Sequence, residues 1–77
     1  MKVYITKYAL SRGIIETDAV ECESFPDMIE TKDFGYFQGS DWHRTMEAAV
    51  AMAEEMRLKK IESLKKQIEK LEGMKFQ

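Results

Sequence analysis

The sequence contains few of the residues that mark specialised protein classes. Its 77 residues include one cysteine, one histidine, one proline and four glycines. The single cysteine, Cys22, cannot form an internal disulfide, so nothing indicates a disulfide-rich secreted protein. No apolar run approaches the roughly 18 residues of a membrane-spanning helix, and residues 1–10 lack the apolar stretch of a signal peptide. A cytoplasmic protein is therefore expected.

The chain also lacks a large excess of positive or negative charge. Twelve Lys and Arg residues stand against 14 Asp and Glu residues, for a formal net charge of −2. Such a balance provides no overall basic field, so nucleic acid is not an expected partner. The 44% hydrophobic and 34% charged composition is that of a globular protein. We expect one small domain over residues 1–77.

The first half of the chain, residues 1–43, has the period-two pattern of antiparallel strands. A turn that ends in Gly13 is predicted to connect the first two strands. The segment Phe25-Pro26-Asp27 is expected to interrupt the sheet, because proline cannot donate a ladder hydrogen bond. Residues 39–43 are expected to form a loop. The result is a three- to four-stranded antiparallel β-meander with predicted strands over residues 2–10, 14–22, 28–31 and 34–38.

The second half of the chain has helical periodicity with no glycine or proline before Gly73. Thr45 is a suitable N-cap and Gly73 a suitable stop, which predicts a helix over residues 46–72. At 1.5 Å per residue, this helix is about 40 Å long. The predicted fold class is therefore α+β, a β-meander followed by one long C-terminal α-helix.

Apolar residues change their spacing along this predicted helix. The first half carries residues suited to close approach to a sheet: Met46, Ala49, Val50, Ala53 and Met56. The second half carries Ile61, Leu64, Ile68 and Leu71, spaced three, four and three as in the a and d positions of a coiled coil. Strands of five to nine residues are too short to cover a helix of this length. We predict that these four residues form the interface of a homodimer or higher homo-oligomer; the alternatives are a fold-back near residues 57–60 or a different protein partner.

No pattern of catalytic, cofactor-binding or metal-ligating residues is recognisable. His43 has no accompanying Ser and Asp arrangement, and its simpler interpretation is a loop residue beside Trp42. Cys22 lies between Glu21 and Glu23, an acidic setting that disfavours a thiolate. Paired metal-ligand spacings such as C-x-x-C are missing. We therefore expect no enzyme activity, no cofactor and no bound metal.

Acidic and aromatic residues suggest a surface for a partner protein. Residues 16–33 contain seven acidic residues and one basic residue, Lys32. An acidic sheet edge attracts basic surfaces, although it also serves simply to discourage aggregation. The aromatic residues around residues 34–42 suit a recognition patch, although packing in the core is the alternative. The predicted partner surface comprises Glu16, Asp18, Glu21, Glu23, Tyr36 and Trp42.

Three segments carry a resemblance to a group of proteins. They are KYALSRGI at residues 7–14, GYF at 35–37 leading to DWHRT at 41–45, and KIESLKK at 60–66. Together they resemble a group of small uncharacterised bacterial proteins associated with prophages and other mobile elements. The resemblance implies a bacterial or infected-cell cytoplasm and an accessory role, such as binding a host protein.

These features favour a non-enzymatic protein-binding protein that acts as a homo-oligomer by surface occlusion, as an inhibitor or adaptor. One alternative is a small nucleic-acid-binding protein that uses sheet aromatics for stacking and helix lysines for phosphate contacts. Another is a structural subunit of a larger particle. Solution mass and salt-dependent oligonucleotide binding distinguish the three.

Overall fold

A computed structural model, which describes residues 1–76, has an antiparallel five-stranded sheet followed by one long helix. This architecture confirms the predicted α+β class. A short helix α1, Ala9–Arg12, follows the first strand, and a 3-10 turn, Gly39–Asp41, precedes the fifth. The strands are β1 (Lys2–Ile5), β2 (Ile15–Cys22), β3 (Phe25–Thr31), β4 (Gly35–Gln38) and β5 (Trp42–His43), and the long helix is α2 (Met46–Glu72).

The first strand is shorter than the alternating pattern predicts. It ends at Ile5, and the predicted continuation to residue 10 is wrong because the chain turns into α1. The amide of Thr6 donates to the carbonyl of Asp41 at 2.9 Å, next to β5, and residues 7–8 form a turn. Residues 9–12 are mostly good helix formers. Gly13, at φ 77°, then turns the chain back towards β2.

A fifth strand lies in the segment that the sequence predicts as a loop. β5 pairs with β1, placing Trp42 opposite Ile5 and His43 opposite Tyr4. The strand order is therefore β4-β3-β2-β1-β5, so the sheet has five strands instead of three or four. A two-residue strand has no periodicity of its own, and only its long-range pairing with β1 defines it.

Pro26 lies inside β3, where the sequence predicts an interruption. The pairing register between β2 and β3 shifts at Glu21 and Cys22, and Cys22 comes opposite Phe25. Proline is tolerated at such a bulge because the local ladder is already disrupted. β3 therefore begins three residues earlier than predicted.

The core lies on one face of the sheet. Its fully enclosed members come from four strands and are Val3, Ile5, Ala19, Ile29 and Phe37. Ile15 and Trp42 pack against them and remain partly exposed. Tyr8, just before α1, meets Phe37 edge to face with ring centroids 6.2 Å apart. The chain between β1 and β2 therefore contributes to the cover over this face.

The bounds of α2 agree with the sequence prediction. The Thr45 hydroxyl accepts a hydrogen bond from the Ala48 amide at 3.1 Å, and the Gly73 amide donates to the carbonyl of Glu69. The start of α2 contacts β1, β5 and α1, and its least exposed residues are Ala49, Met52, Ala53 and Met56. Met46 and Val50, predicted with this group, are each 45% exposed and point elsewhere. Every residue from Arg57 to Glu72 is exposed.

We expect Thr6→Val to destabilise the fold by about 1–3 kcal/mol. The substitution removes a buried hydroxyl, so the groups bound to it lose a hydrogen-bond partner. That hydroxyl lies 3.2 Å from the Ser40 carbonyl and 3.1 Å from Nε2 of His43. Urea unfolding measures the change. Thr17→Val is the control, because within residues 1–76 the Thr17 hydroxyl has a single long hydrogen bond, to the neighbouring Asp18 carbonyl at 3.5 Å. Equal effects of the two substitutions would contradict a special role for Thr6.

Candidate interaction surfaces

The four predicted interface residues of α2 lie together on an uncovered side of the helix. Ile61, Leu64, Ile68 and Leu71 are 37%, 43%, 52% and 64% exposed, and we call this set the apolar seam. α2 runs without interruption from Met46 to Glu72, so the alternative of a fold-back near residues 57–60 is wrong. The apolar seam therefore has no cover within the described chain.

Three ion pairs connect charged residues along α2 itself. Lys59 pairs with Glu55 at 3.0 Å and Lys66 with Glu62 at 3.6 Å. Such exposed pairs one helical turn apart contribute only about 0.3–0.5 kcal/mol each. The paired side chains lie on a solvated surface of the helix.

The predicted acidic surface is divided between the two faces of the sheet. Glu16 and Asp18 alternate with the enclosed Ala19 and lie on the outer face. Glu21 is opposite the enclosed Ile29, so it lies on the core-facing side. Glu23 is exposed in the turn between β2 and β3. Four of the six predicted partner residues are acidic, and the structure does not bring them together on one surface.

Basic residues from distant parts of the chain neutralise two of these acids. Lys2 contacts Glu16 at 3.2 Å, and the hydrogen bond and negative charge of Glu16 raise the pKa of Lys2. Arg44 contacts Glu21 at 2.7 Å. The local surplus of acids between residues 16 and 33 is thus smaller in the folded chain than it is along the sequence.

Trp42 belongs to a structural cluster with Glu21 and Arg44. Its indole Nε1 donates to the carbonyl of Asp27 at 2.9 Å, which connects β5 to β3 across the sheet. The Arg44 guanidinium lies 5.2 Å from the centre of the Trp42 ring. These contacts favour the core interpretation for Trp42. Sequence reasoning missed Arg44, because nothing in the local pattern connects it with Glu21.

Tyr36 lies on the outer face beside a second exposed apolar residue. Val20, Glu30 and Tyr36 are successive cross-strand neighbours on β2, β3 and β4. Val20 and Tyr36 are each 60% exposed. We call this set, together with Asp18, the outer patch. Alternation along β2 and β3 could have identified Val20 and Glu30, which sequence reasoning omitted.

An open groove of about 390 Å³ borders the outer patch. It is lined by Met1, Asp18, Ala19, Val20, Glu30, Thr31 and Lys32. The groove therefore has charges of both signs beside the apolar side chains of Met1, Ala19 and Val20. A depression of this kind can accept a side chain of a protein partner.

The two residues considered as catalytic candidates, His43 and Cys22, lie within the fold and not in a catalytic arrangement. His43 contacts the Thr6 hydroxyl, and Cys22 is a half-buried free thiol. Among residues 1–76, no three His, Cys, Asp or Glu side chains are grouped so that they could hold a metal ion. Within the same residues, no helix has both the length and the apolar character needed to cross a membrane.

Comparison of the chain with models of protein families, with characterised proteins and with experimentally determined structures finds no match. The function is therefore argued from the apolar seam and the outer patch.

We expect Glu30→Gln to lower the pKa of Tyr36. The hydrogen bond to Glu30 and its negative charge, in that order, raise this pKa because both favour the protonated phenol. The associated stabilisation is present below the unfolded-state pKa, about 10, and is lost as the pH rises through the higher folded-state pKa. The Tyr36 ring carbon shift, followed by NMR through alkaline pH, measures the change. Glu16→Gln is the control, and an unchanged Tyr36 titration in Glu30→Gln would contradict the pairing.

Proposed function

We propose that the protein is a non-enzymatic protein-binding module that self-assembles through α2 and acts by covering the surface of another protein, as an inhibitor or adaptor. One observation carries the proposal: the four large apolar side chains of the apolar seam lie in a row on the half of α2 that the sheet leaves uncovered. Solvent exposure of such a stripe is costly, and a second helix is its natural cover.

The expected strength of this self-association is moderate. Full burial of a Leu or Ile contributes about 1.5–3 kcal/mol, and these side chains are roughly half exposed, so two copies gain about 6–12 kcal/mol. Association itself costs about 4–15 kcal/mol. Because the two terms are comparable, we expect a reversible, concentration-dependent assembly.

The outer patch is the surface that we propose for another protein. Val20 and Tyr36 provide an apolar centre, and Asp18 and Glu30 provide an acidic margin that favours a basic partner surface. A host protein in a bacterial cytoplasm agrees with the resemblance described above. The same acids oppose the nucleic-acid alternative, because they would repel phosphate beside the aromatic ring.

We expect the double substitution Leu64→Asp and Ile68→Asp to convert the assembly to a monomer without unfolding the sheet. The two carboxylates would have to be buried in the apolar interface, which costs far more than the interface gains. Light scattering after size exclusion, over at least a tenfold concentration range, measures the mass. Circular dichroism and the Trp42 emission report whether the fold is retained.

The matched control is Lys59→Gln with Lys66→Gln, which changes the net charge equally on the side of the helix opposite the apolar seam. This variant should assemble like the parent. A parent that is monomeric at every concentration would contradict the proposed function. A mass well above a dimer would favour the structural-subunit alternative, and salt-dependent oligonucleotide binding would favour the nucleic-acid alternative.

A further inference from the structure

The exposed apolar side of α2 extends beyond the apolar seam. Counting back in steps of seven from Leu64 gives Arg57 and then Val50, so Val50 occupies a d position. Val50 is 45% exposed, as is its neighbour Met46. At 100° per residue, this side lies about 90° around the helix from the residues that face the sheet. The sheet therefore leaves this strip of α2 accessible from its first turn, with the charged Glu47, Glu54 and Arg57 at a and d positions among its apolar residues.

We infer that the occupant of this strip is a second copy of the chain, whose α2 lies parallel and in register. This inference rests on the proposed function and specifies the geometry of that assembly. In the parallel arrangement, every a and d residue meets its own counterpart, including Val50. An antiparallel pair that keeps all four seam layers sets Leu64 against Ile68 of the other copy. Val50 would then lie beyond the end of the opposite α2.

The charges on the two sides of the strip also favour the parallel arrangement. Coiled-coil flanks are occupied by the b and e positions on one side and the c and g positions on the other. The first flank is mainly acidic and the second is basic or neutral. Parallel helices place unlike flanks together on both sides of the interface, whereas antiparallel helices place like flanks together. From residue 55 on, the members are Glu55, Leu58, Glu62, Lys65, Glu69 and Glu72 on the first flank, and Met56, Lys60, Ser63, Gln67 and Lys70 on the second.

An ion pair interrupts the apolar strip at a place that suits register control. Glu54 and Arg57 occupy an a and a d position, and their side chains meet at 2.7 Å. In a parallel pair, two such ion pairs come together in adjacent layers, so each carboxylate gains a guanidinium from the other copy. Polar residues at core positions fix register at some cost in stability. A helix displaced by one turn would lose this match.

Like charges that meet in the parallel arrangement oppose it, at the a position Glu47 and between Lys60 and Lys65 on the flanks. The flank contact provides a test. Lys60 at g faces Lys65 at e of the other copy, on both sides of the interface. Lys65→Glu converts both repulsive contacts into ion pairs, so the dissociation constant should fall about threefold to tenfold. In the antiparallel arrangement, Lys65 faces its own counterpart near the acidic Glu62 and Glu69, and the same substitution would weaken association. Weaker or unchanged association in Lys65→Glu would therefore overturn the inference.

Distance measurements between spin labels separate orientation from association. In a Cys22→Ser background, a label at Ala48→Cys should give about 30 Å between copies for parallel helices and more than about 50 Å for antiparallel ones. A label at Lys66→Cys is level with the middle of the apolar seam but on the opposite side of the helix, and it gives about 30 Å in both arrangements. It therefore reports association alone.

A short distance at both labels supports the parallel dimer. A short distance at residue 66 with a long one at residue 48 overturns the orientation and leaves the proposed self-assembly intact. No distance at either label, together with a monomeric mass, overturns both. Leu64→Asp with Ile68→Asp, added to each labelled chain, should abolish both distances and is the negative control.

Discussion

The mismatch between the length of α2 and the size of the sheet is the constraint on which the rest of the structure depends. α2 has 27 residues, whereas the strands have two to eight. At 1.5 Å per helical residue the helix is about 40 Å long, and at about 3.3 Å per strand residue the longest strand spans about 26 Å. The molecule extends 59 Å along its longest axis and only 24 Å and 20 Å across it. The second half of α2 therefore projects from the sheet, and its apolar residues cannot be buried by their own chain.

The direction of this projection is determined by contacts around the shortest strand. β5 pairs with β1, and the Thr6 amide donates a hydrogen bond to the carbonyl of Asp41, the residue before β5. The indole of Trp42 donates a hydrogen bond to the Asp27 carbonyl of β3. Thr45 caps α2 only two residues after β5 ends. The helix therefore starts from a segment held on both sides by long-range hydrogen bonds. A helix anchored in this way presents its exposed strip at a defined angle to the outer patch.

The features that were predictable from sequence are those with local causes. α2 was predictable to the residue because Thr45, Gly73 and the helical spacing act within a few positions of one another. The end of β1 and the existence of β5 were not predictable from sequence. Both depend on hydrogen bonds between Thr6 and a segment more than 30 residues away. The same distinction applies to the surfaces. Alternation along a strand places Glu16 and Asp18 on one face and Glu21 on the other, yet no local pattern pairs Glu21 with Arg44.

The two surfaces have different consequences for binding, and the orientation of the helices connects them. A parallel dimer would place both sheets at the same end of the assembly, with two outer patches available to one target. Two linked weak contacts can exceed the affinity of either by a factor of about 10²–10⁴ when the geometry allows both to engage. An antiparallel dimer would place the sheets at opposite ends, where they would bind separate targets. Occlusion of one protein therefore follows from parallel helices, and bridging of two proteins follows from antiparallel ones.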